Sequence, residues 1–260
     1  MKNILGVVAT VVCLCTLQLI AAPTSPRQPS QHEQFIPYWT TEPGWHTELQ
    51  LRNNILRSSL TVDVILRLSN GTEFSLSPVT IDQNNVKAID LRDELAPLAS
   101  QLVGTAGSFG SIVLRYSSFS TSNLYASVMI HLDGHPIEYH VDAFHVTSKA
   151  LTADYDGVWW TPQPTVNQVL VLGNYSKRQT QARLSLFSDT GTTAKTTDFT
   201  LGPGQTVRVD LQSAVKNAGL AHNYGGLALH CSDAVGIYPF QFIYDESTGF
   251  SSLMKLHPPS

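Results

Sequence analysis

The chain is poor in cysteine and in charge, and each shortage excludes a class of protein. It has 3 Cys among 260 residues, too few for a small fold held together by disulfides. Lys and Arg number 16 against 20 Asp and Glu, so no basic excess points to nucleic acid. Charged residues make up 14% of the chain, whereas Ser and Thr together number 49. We therefore expect a neutral, hydroxyl-rich surface, on a chain long enough for two ordinary domains.

Long apolar runs are confined to the N-terminus. An almost uncharged run from Ile4 to Ile20 follows Lys2 and ends at Ala21-Ala22, which predicts a secretory signal peptide over residues 1–22. An uncleaved anchor is the alternative, because Leu19 fits the cleavage pattern poorly. No later stretch is long or apolar enough to span a membrane. The prediction is an exported protein, periplasmic, at the cell surface or extracellular, with no transmembrane domain after signal removal.

The segment after the leader is rich in Pro, Gln and Ser and has no apolar periodicity, so residues 23–35 are predicted to be a flexible linker. Cys231 is then the one cysteine left. It lies in an apolar run and is expected to be a buried small side chain rather than a reactive thiol.

Beyond residue 35 apolar and polar residues alternate, which is typical of strands with one face on a core. One example is the run from Val62 to Leu68. Asn70-Gly71 and Asp133-Gly134 each predict a two-residue hairpin between such runs.

An internal repeat divides the chain. Tyr38-Trp39-Thr40 recurs as Trp159-Trp160-Thr161, and the pattern Leu-x-Leu-x-Asn ending at Asn53 recurs at Asn174, both at an offset of 121 residues. The predicted fold is all-β: two tandem immunoglobulin-like β-sandwich domains, each with one short helix, at residues 36–148 and 156–257. A single closed barrel made from both copies is the alternative.

The repeat also separates residues that serve the shared fold from residues free to serve a site. Trp39 and Trp160 occupy matching places, as do Tyr38 and Trp159, and these aromatic residues are predicted to pack at the first strand of each sandwich. Trp45 has no aromatic counterpart and lies with His46 in a turn, where an exposed ring could stack on a sugar or a partner protein. Trp45 and His46 are therefore the candidate ligand-binding residues.

Four of the nine histidines fall between positions 131 and 145, and copy two lacks them. Because alternate strand residues face the same side, pairs here could offer two ligands to a metal ion. The candidate metal residues are His131, Asp133, His135, His140 and Asp142. A tight hairpin would place His140 opposite Ser127, roughly 14 Å along the ladder from His131, which argues against one four-ligand site. Solvated polar side chains are the alternative interpretation.

Signatures of catalysis are weak. The turn Ala106 to Gly110 resembles a nucleophile elbow, but it leads into a strand rather than a helix. Phosphate-binding loops, CxxC and HExxH are missing from the sequence. Asp90 and Asp210 sit where a strand passes to a helical stretch, which favours helix capping. We expect no catalytic residue and no cofactor.

Three segments resemble exported bacterial proteins built from tandem sandwich units, a group without an established activity. They are Ile36 to Asn54, the turn Gly107 to Ser111, and Gly134 to Asp142. The resemblance spans nearly the whole mature chain and implies export and fold, but it assigns no site residues.

Three hypotheses about function follow. The leading one is an exported, non-catalytic binding or structural protein of the envelope or extracellular space, which displays loops and sheet edges to a protein or glycan. The second is a periplasmic two-domain chaperone acting by β-strand addition. The third is a metal-dependent hydrolase with its site around His131 to His145.

Overall fold

The computed structural model describes residues 28–98, 108–145, 152–233 and 236–259. The predicted signal peptide, residues 23–27 of the predicted linker and residues 146–151, where the domain boundary is predicted, lie outside the described residues. In the part that is described, no helix has the length and apolar character needed to cross a membrane.

Ten strands and one short helix are found in the described residues of the first half. The strands are β1 (Ser30–Thr40), β2 (Trp45–Asn53), β3 (Leu60–Leu68), β4 (Glu73–Ser75), β5 (Val79–Ile81), β6 (Val86–Asp90), β7 (Phe109–Ser118), β8 (Leu124–Leu132), β9 (Glu138–Asp142) and β10 (Phe144–His145). Helix α1 (Leu91–Leu95) follows β6 and continues into a 3₁₀ turn, Ala96–Leu98. A second 3₁₀ turn, Thr121–Asn123, precedes β8.

The second half contains eight strands and one helix. The strands are β11 (Asp154–Trp160), β12 (Val166–Asn174), β13 (Thr180–Phe187), β14 (Thr193–Leu201), β15 (Thr206–Asp210), β16 (Tyr224–Cys231), β17 (Ile237–Asp245) and β18 (Phe250–Lys255). Helix α2 (Leu211–Asn217) follows β15. The predicted all-β fold class is confirmed.

The two halves share one strand order. In the first half the sheets run β10-β1-β7-β3-β4, with β5 also on β3, and β6-β2-β8-β9. In the second half they run β11-β16-β13-β14 and β15-β12-β17-β18. Four separate antiparallel sheets replace the single barrel considered from the sequence. This order does not by itself make either half immunoglobulin-like, because such domains place the first two strands side by side, whereas β1 and β2 lie in opposite sheets.

Local polar chemistry is repeated in both halves. Each fully buried asparagine, Asn53 and Asn174, donates from its Nδ2 amide to three backbone carbonyls, which ties the end of its strand to the end of a strand in the other sheet. Asp90 and Asp210 cap α1 and α2 by accepting backbone N–H bonds from Arg92 and Ser213, as predicted.

The core tryptophans are Trp39 and Trp159, not Trp39 and Trp160. Trp39 lies opposite Gly110 and Trp159 opposite Gly225, and both indoles are fully buried and donate to backbone carbonyls. Trp160 is 40% exposed. The predicted packing role therefore holds for Trp159 and is wrong for Trp160, because the ring opposite Gly225 occupies the buried place.

The predicted linker is also corrected. β1 begins at Ser30, and its first residues pair with β7, from Ser30 opposite Ser118 to Phe35 opposite Val113. The segment lacks apolar alternation because Gln34 is buried through polar contacts: its amide donates to the Tyr116 hydroxyl and to the carbonyl of Leu124. At the second copy, β11 begins at 154, two residues before the predicted domain start.

The halves are joined by an aromatic interface. Tyr38 lies 5.6 Å from Phe242, ring centroid to ring centroid, and 6.0 Å from Phe240. The hydroxyl of Tyr139 donates to the carbonyl of Ile243 at 2.9 Å. Phe240 and Phe242 belong to the same buried cluster as the first half's core, so both halves share one apolar interior.

Candidate functional site

Trp45 lines a cleft between the two halves rather than standing on an exposed turn. It is the first residue of β2 and is half-buried. Its ring is nearly parallel to that of Tyr139, with centroids 6.1 Å apart, and meets Tyr244 edge-on at 5.3 Å. Two contacts from separate elements hold the ring, so the exposed setting expected from the sequence is wrong. Its role in ligand binding stays a prediction.

His46 points to the opposite face of the same strand and joins the histidine cluster. Its ring stacks on His131 with centroids 4.8 Å apart, and its Nδ1 lies 2.9 Å from Asp133 Oδ1. Arg92 donates to the other oxygen of Asp133 at 2.9 Å and to the Trp45 carbonyl at 2.7 Å. The hydrogen bonds from Arg92, and then from His46, lower the pKa of Asp133.

The loop after β8 differs from the predicted two-residue hairpin. The backbone pair that closes it joins Leu132 to Ile137, so residues 133–136 form the loop, and β9 begins after Pro136, which has no N–H to donate. His140 consequently lies opposite Met129, not Ser127.

The five candidate metal residues do not assemble into one site. His140 and Asp142 share the outer face of β9 with Glu138, but Asp142 accepts a hydrogen bond from Tyr125 at 2.7 Å and lies 3.9 Å from His140. His135 is exposed in the loop. Across the described ranges, no three His, Cys, Asp or Glu side chains are grouped so that they could hold a metal ion.

An ion pair crosses between the halves beside the cleft. Both terminal nitrogens of Arg208, on β15, donate to the carboxylate of Glu42, and one also donates to the Tyr38 hydroxyl. The guanidinium lies 3.9 Å above the ring of Phe109. Burial raises the pKa of Tyr38 to about 12, although Arg208 opposes the shift. The sequence offers no signal for this pair, because its partners are 166 positions apart.

An exposed aromatic platform on the second half is the largest feature that the sequence analysis missed. It consists of Val158, Trp160, Tyr224 and Phe250, which are 49%, 40%, 58% and 44% exposed. Trp160 and Tyr224 are directly opposite in β11 and β16, and the Phe250 ring meets Trp160 edge-on at 6.3 Å. The buried Gln168 accepts from the Trp160 backbone N–H at 2.6 Å, which fixes that end of β11.

A polar groove adjoins this platform. It encloses about 700 Å³, and Thr161 and Asn223, which follow and precede two platform rings, line one end of it. Its other hydrogen-bonding side chains are Gln163, Gln212, Ser213, Lys216 and His222. The groove is therefore mostly neutral and rich in amide and hydroxyl groups.

No catalytic group emerges from the candidates. Cys231 is buried, and burial raises its pKa to about 12, so the thiol is protonated at neutral pH, as the sequence predicts for a structural cysteine. The carboxylates of Asp90 and Asp210 are engaged as helix caps.

Comparisons with known proteins add little. No protein-family model matches the chain, and no curated protein matches it. Among solved structures, the chain is similar to a lectin from Pleurotus ostreatus in complex with GalNAc at 12% identity, over 88% of this chain and 85% of the lectin chain, with a TM-score of 0.14. Two chains at that TM-score do not share a superposable fold, so the similarity says nothing about what this protein binds.

Proposed function

We propose that this chain is an exported, non-catalytic binding protein whose aromatic platform and polar groove bind a neutral glycan. The observation that carries the proposal is the juxtaposition of exposed rings with a groove lined by amide and hydroxyl side chains. The C–H face of a sugar ring stacks on the electron-rich face of an aromatic ring, and its hydroxyls need neutral donors and acceptors. The platform offers the rings, and the groove, which begins at Thr161 and Asn223 beside Trp160 and Tyr224 in the chain, offers the polar groups.

The fold does not require these rings. Trp160 and Tyr224 are paired across β11 and β16. The equivalent pair in the first half is Thr40 and Phe109, across β1 and β7. Phe109 is covered by Arg208, whereas Tyr224 is 58% exposed. An exposed Trp beside an exposed Tyr contributes little to packing, which favours a binding role for them.

The test is a glycan array probed with the full mature chain, followed by calorimetry on any glycan that binds. Trp160→Ala should weaken binding at least tenfold and leave the thermal unfolding midpoint nearly unchanged. Phe119→Ala is the matched control, because Phe119 is an exposed aromatic residue, 56% accessible, outside the platform. Equal binding by the two variants, or binding of a protein partner but of no glycan, would count against the proposal.

A second candidate function, strand addition to an exported partner, is favoured by β14. This nine-residue strand is an edge of its sheet, whereas the matching edge of the first half is divided into two three-residue strands, β4 and β5. A free edge of that length can accept an extended peptide. Amide exchange should then slow along β14 when a partner peptide is added, and Thr197→Pro should abolish the effect. Unchanged exchange along β14 would remove this candidate.

Export itself belongs to the proposal, supported by the apolar N-terminal run. In a bacterial host, the mature protein should be recovered outside the cytoplasm with its N-terminus at or near Ala22. Recovery of a chain that still begins at Met1 in the cytoplasm would contradict it.

A further inference from the structure

The cleft between the halves is a second concave site, separate from the aromatic platform. Its volume is about 60 Å³, room for about four water-sized atoms, in an interface that is otherwise packed. Trp45, Tyr139 and Tyr244 form aromatic walls, with Phe242 between the two tyrosines. Trp45 and Tyr244 are only half-buried, so the cleft is open to solvent on their side.

Two hydrogen-bond donors on the aromatic side chains of the cleft have no partner among the described residues. The indole N–H groups of Trp39 and Trp159 and the hydroxyl of Tyr139 all donate to backbone carbonyls. Neither the Trp45 indole N–H nor the Tyr244 hydroxyl hydrogen-bonds to any residue that the structure describes, although both side chains line the cleft. Burial raises the pKa of Tyr244, so its hydroxyl keeps its proton at neutral pH and can donate.

Charge at the cleft is already balanced. Arg208 and Glu42 both line it, and each is occupied by the other through two hydrogen bonds. Arg208 also donates to Tyr38 and lies against Phe109, which leaves little of its charge for a ligand. A charged ligand would have to break this pair, so the cleft favours a neutral one.

We propose that the cleft binds a small neutral molecule bearing a carbonyl group, with its apolar part against the aromatic walls formed by Trp45, Tyr139 and Tyr244 and its carbonyl oxygen accepting from Trp45 and Tyr244. Only a few heavy atoms are enclosed, and the rest of the ligand extends into solvent. The proposal does not depend on glycan binding at the platform, because the two sites share no residue.

Indole N–H signals from the full chain labelled with ¹⁵N-tryptophan test this proposal. The probes are three molecules with the same butyl chain: N-butylacetamide, pentanoate and butyltrimethylammonium. N-butylacetamide should shift the Trp45 signal saturably and leave Trp39 and Trp159 unmoved. Tyr244→Phe should weaken that binding about fivefold, the effect of losing one neutral hydrogen bond. Tyr125→Phe is the matched control, because the Tyr125 hydroxyl is exposed and bonded to Asp142.

Several outcomes would overturn the proposal. A larger effect from butyltrimethylammonium would show that the rings bind a cation, and a larger effect from pentanoate would show that Arg208 leaves Glu42 to bind an anion. If no probe shifts the Trp45 signal, the cleft is a packing void that binds nothing. If Tyr244→Phe binds N-butylacetamide with full affinity, the Tyr244 hydroxyl does not donate to the ligand. A shift of Trp160 alone would place binding on the platform. A negative result at Trp45 leaves the glycan proposal standing, since that proposal is read out at Trp160.

Discussion

Removing the charge of Glu42 should destabilise the whole protein, because its partner Arg208 belongs to the other half. The perturbation is Glu42→Gln, which keeps the size of the side chain and removes its charge. Both side chains of the pair are 27% exposed. Breaking a fully buried pair costs about 3–5 kcal/mol, and an exposed pair contributes about 0–1 kcal/mol. Because the Glu42–Arg208 pair is partly exposed, we expect an intermediate loss of about 2–3 kcal/mol in the free energy of unfolding.

The assay is calorimetric unfolding together with urea titration of the full mature chain. For a protein of this size the loss corresponds to a drop of roughly 5–10 °C in the unfolding midpoint. Because the halves share one apolar interior, a single transition should move as a whole. In a double-mutant cycle with Arg208→Met, the coupling energy should be about 1.5–3 kcal/mol.

The matched control is Asp198→Asn. Asp198 makes the same two-bond contact with Arg183, but the side chains are 66% and 61% exposed. Because solvent screens this exposed pair, its loss should leave the free energy of unfolding nearly unchanged. If Glu42→Gln proves as harmless as Asp198→Asn, or if the two halves unfold in separate transitions, the argument that this pair locks the halves together is refuted.

Two further predictions concern packing and pH. Gly225→Ala should cost about 2 kcal/mol or more in urea unfolding, because the added Cβ would lie 2.3 Å from the carbonyl oxygen of Phe187; Gly226→Ala, where the nearest atom is 3.6 Å away, should cost less than about 1 kcal/mol. Equal effects would contradict the described register of β16. Burial raises the pKa of Tyr38 and of Tyr116 to about 12, against about 10 in the unfolded chain. The folded state therefore holds these protons longer, so stability should be full below pH 10 and fall as the pH rises from about 10 through 12. Phenolate absorbance followed against urea stability checks this, and a flat profile to pH 12 would contradict it.

Much of the fold is predictable because its causes are local. Alternating apolar residues predict strands, and the repeated Leu-x-Leu-x-Asn pattern predicts matching elements in both halves, where Asn53 and Asn174 bind three carbonyls each. Capping by Asp90 and Asp210 follows from residue type and place alone. The capping contacts lie within three residues of chain, whereas the asparagine contacts also reach carbonyls 27–29 positions away, at the ends of β5 and β14 in the other sheet of each half.

The candidate site was less predictable because it depends on which surfaces the other half covers. Trp45 is set in a turn-like sequence, yet rings from β9 and β17 enclose it. Trp160 matches a core position in the repeat, but the position of Gly225 gives the buried place to Trp159 and leaves Trp160 outside. A one-residue change of register turns every side chain of a strand to the other face.

By itself, then, the amino-acid sequence determined an all-β chain with a predicted export signal, a repeated pattern of strands and caps, and the burial of Cys231, because periodicity and residue type act over short distances. Only the tertiary structure decided that the halves share a core, that Arg208 pairs with Glu42, and that an aromatic platform and a separate cleft remain open. Those outcomes depend on side chains more than a hundred residues apart meeting across an interface, where burial on one face of a sheet leaves the other face free to bind.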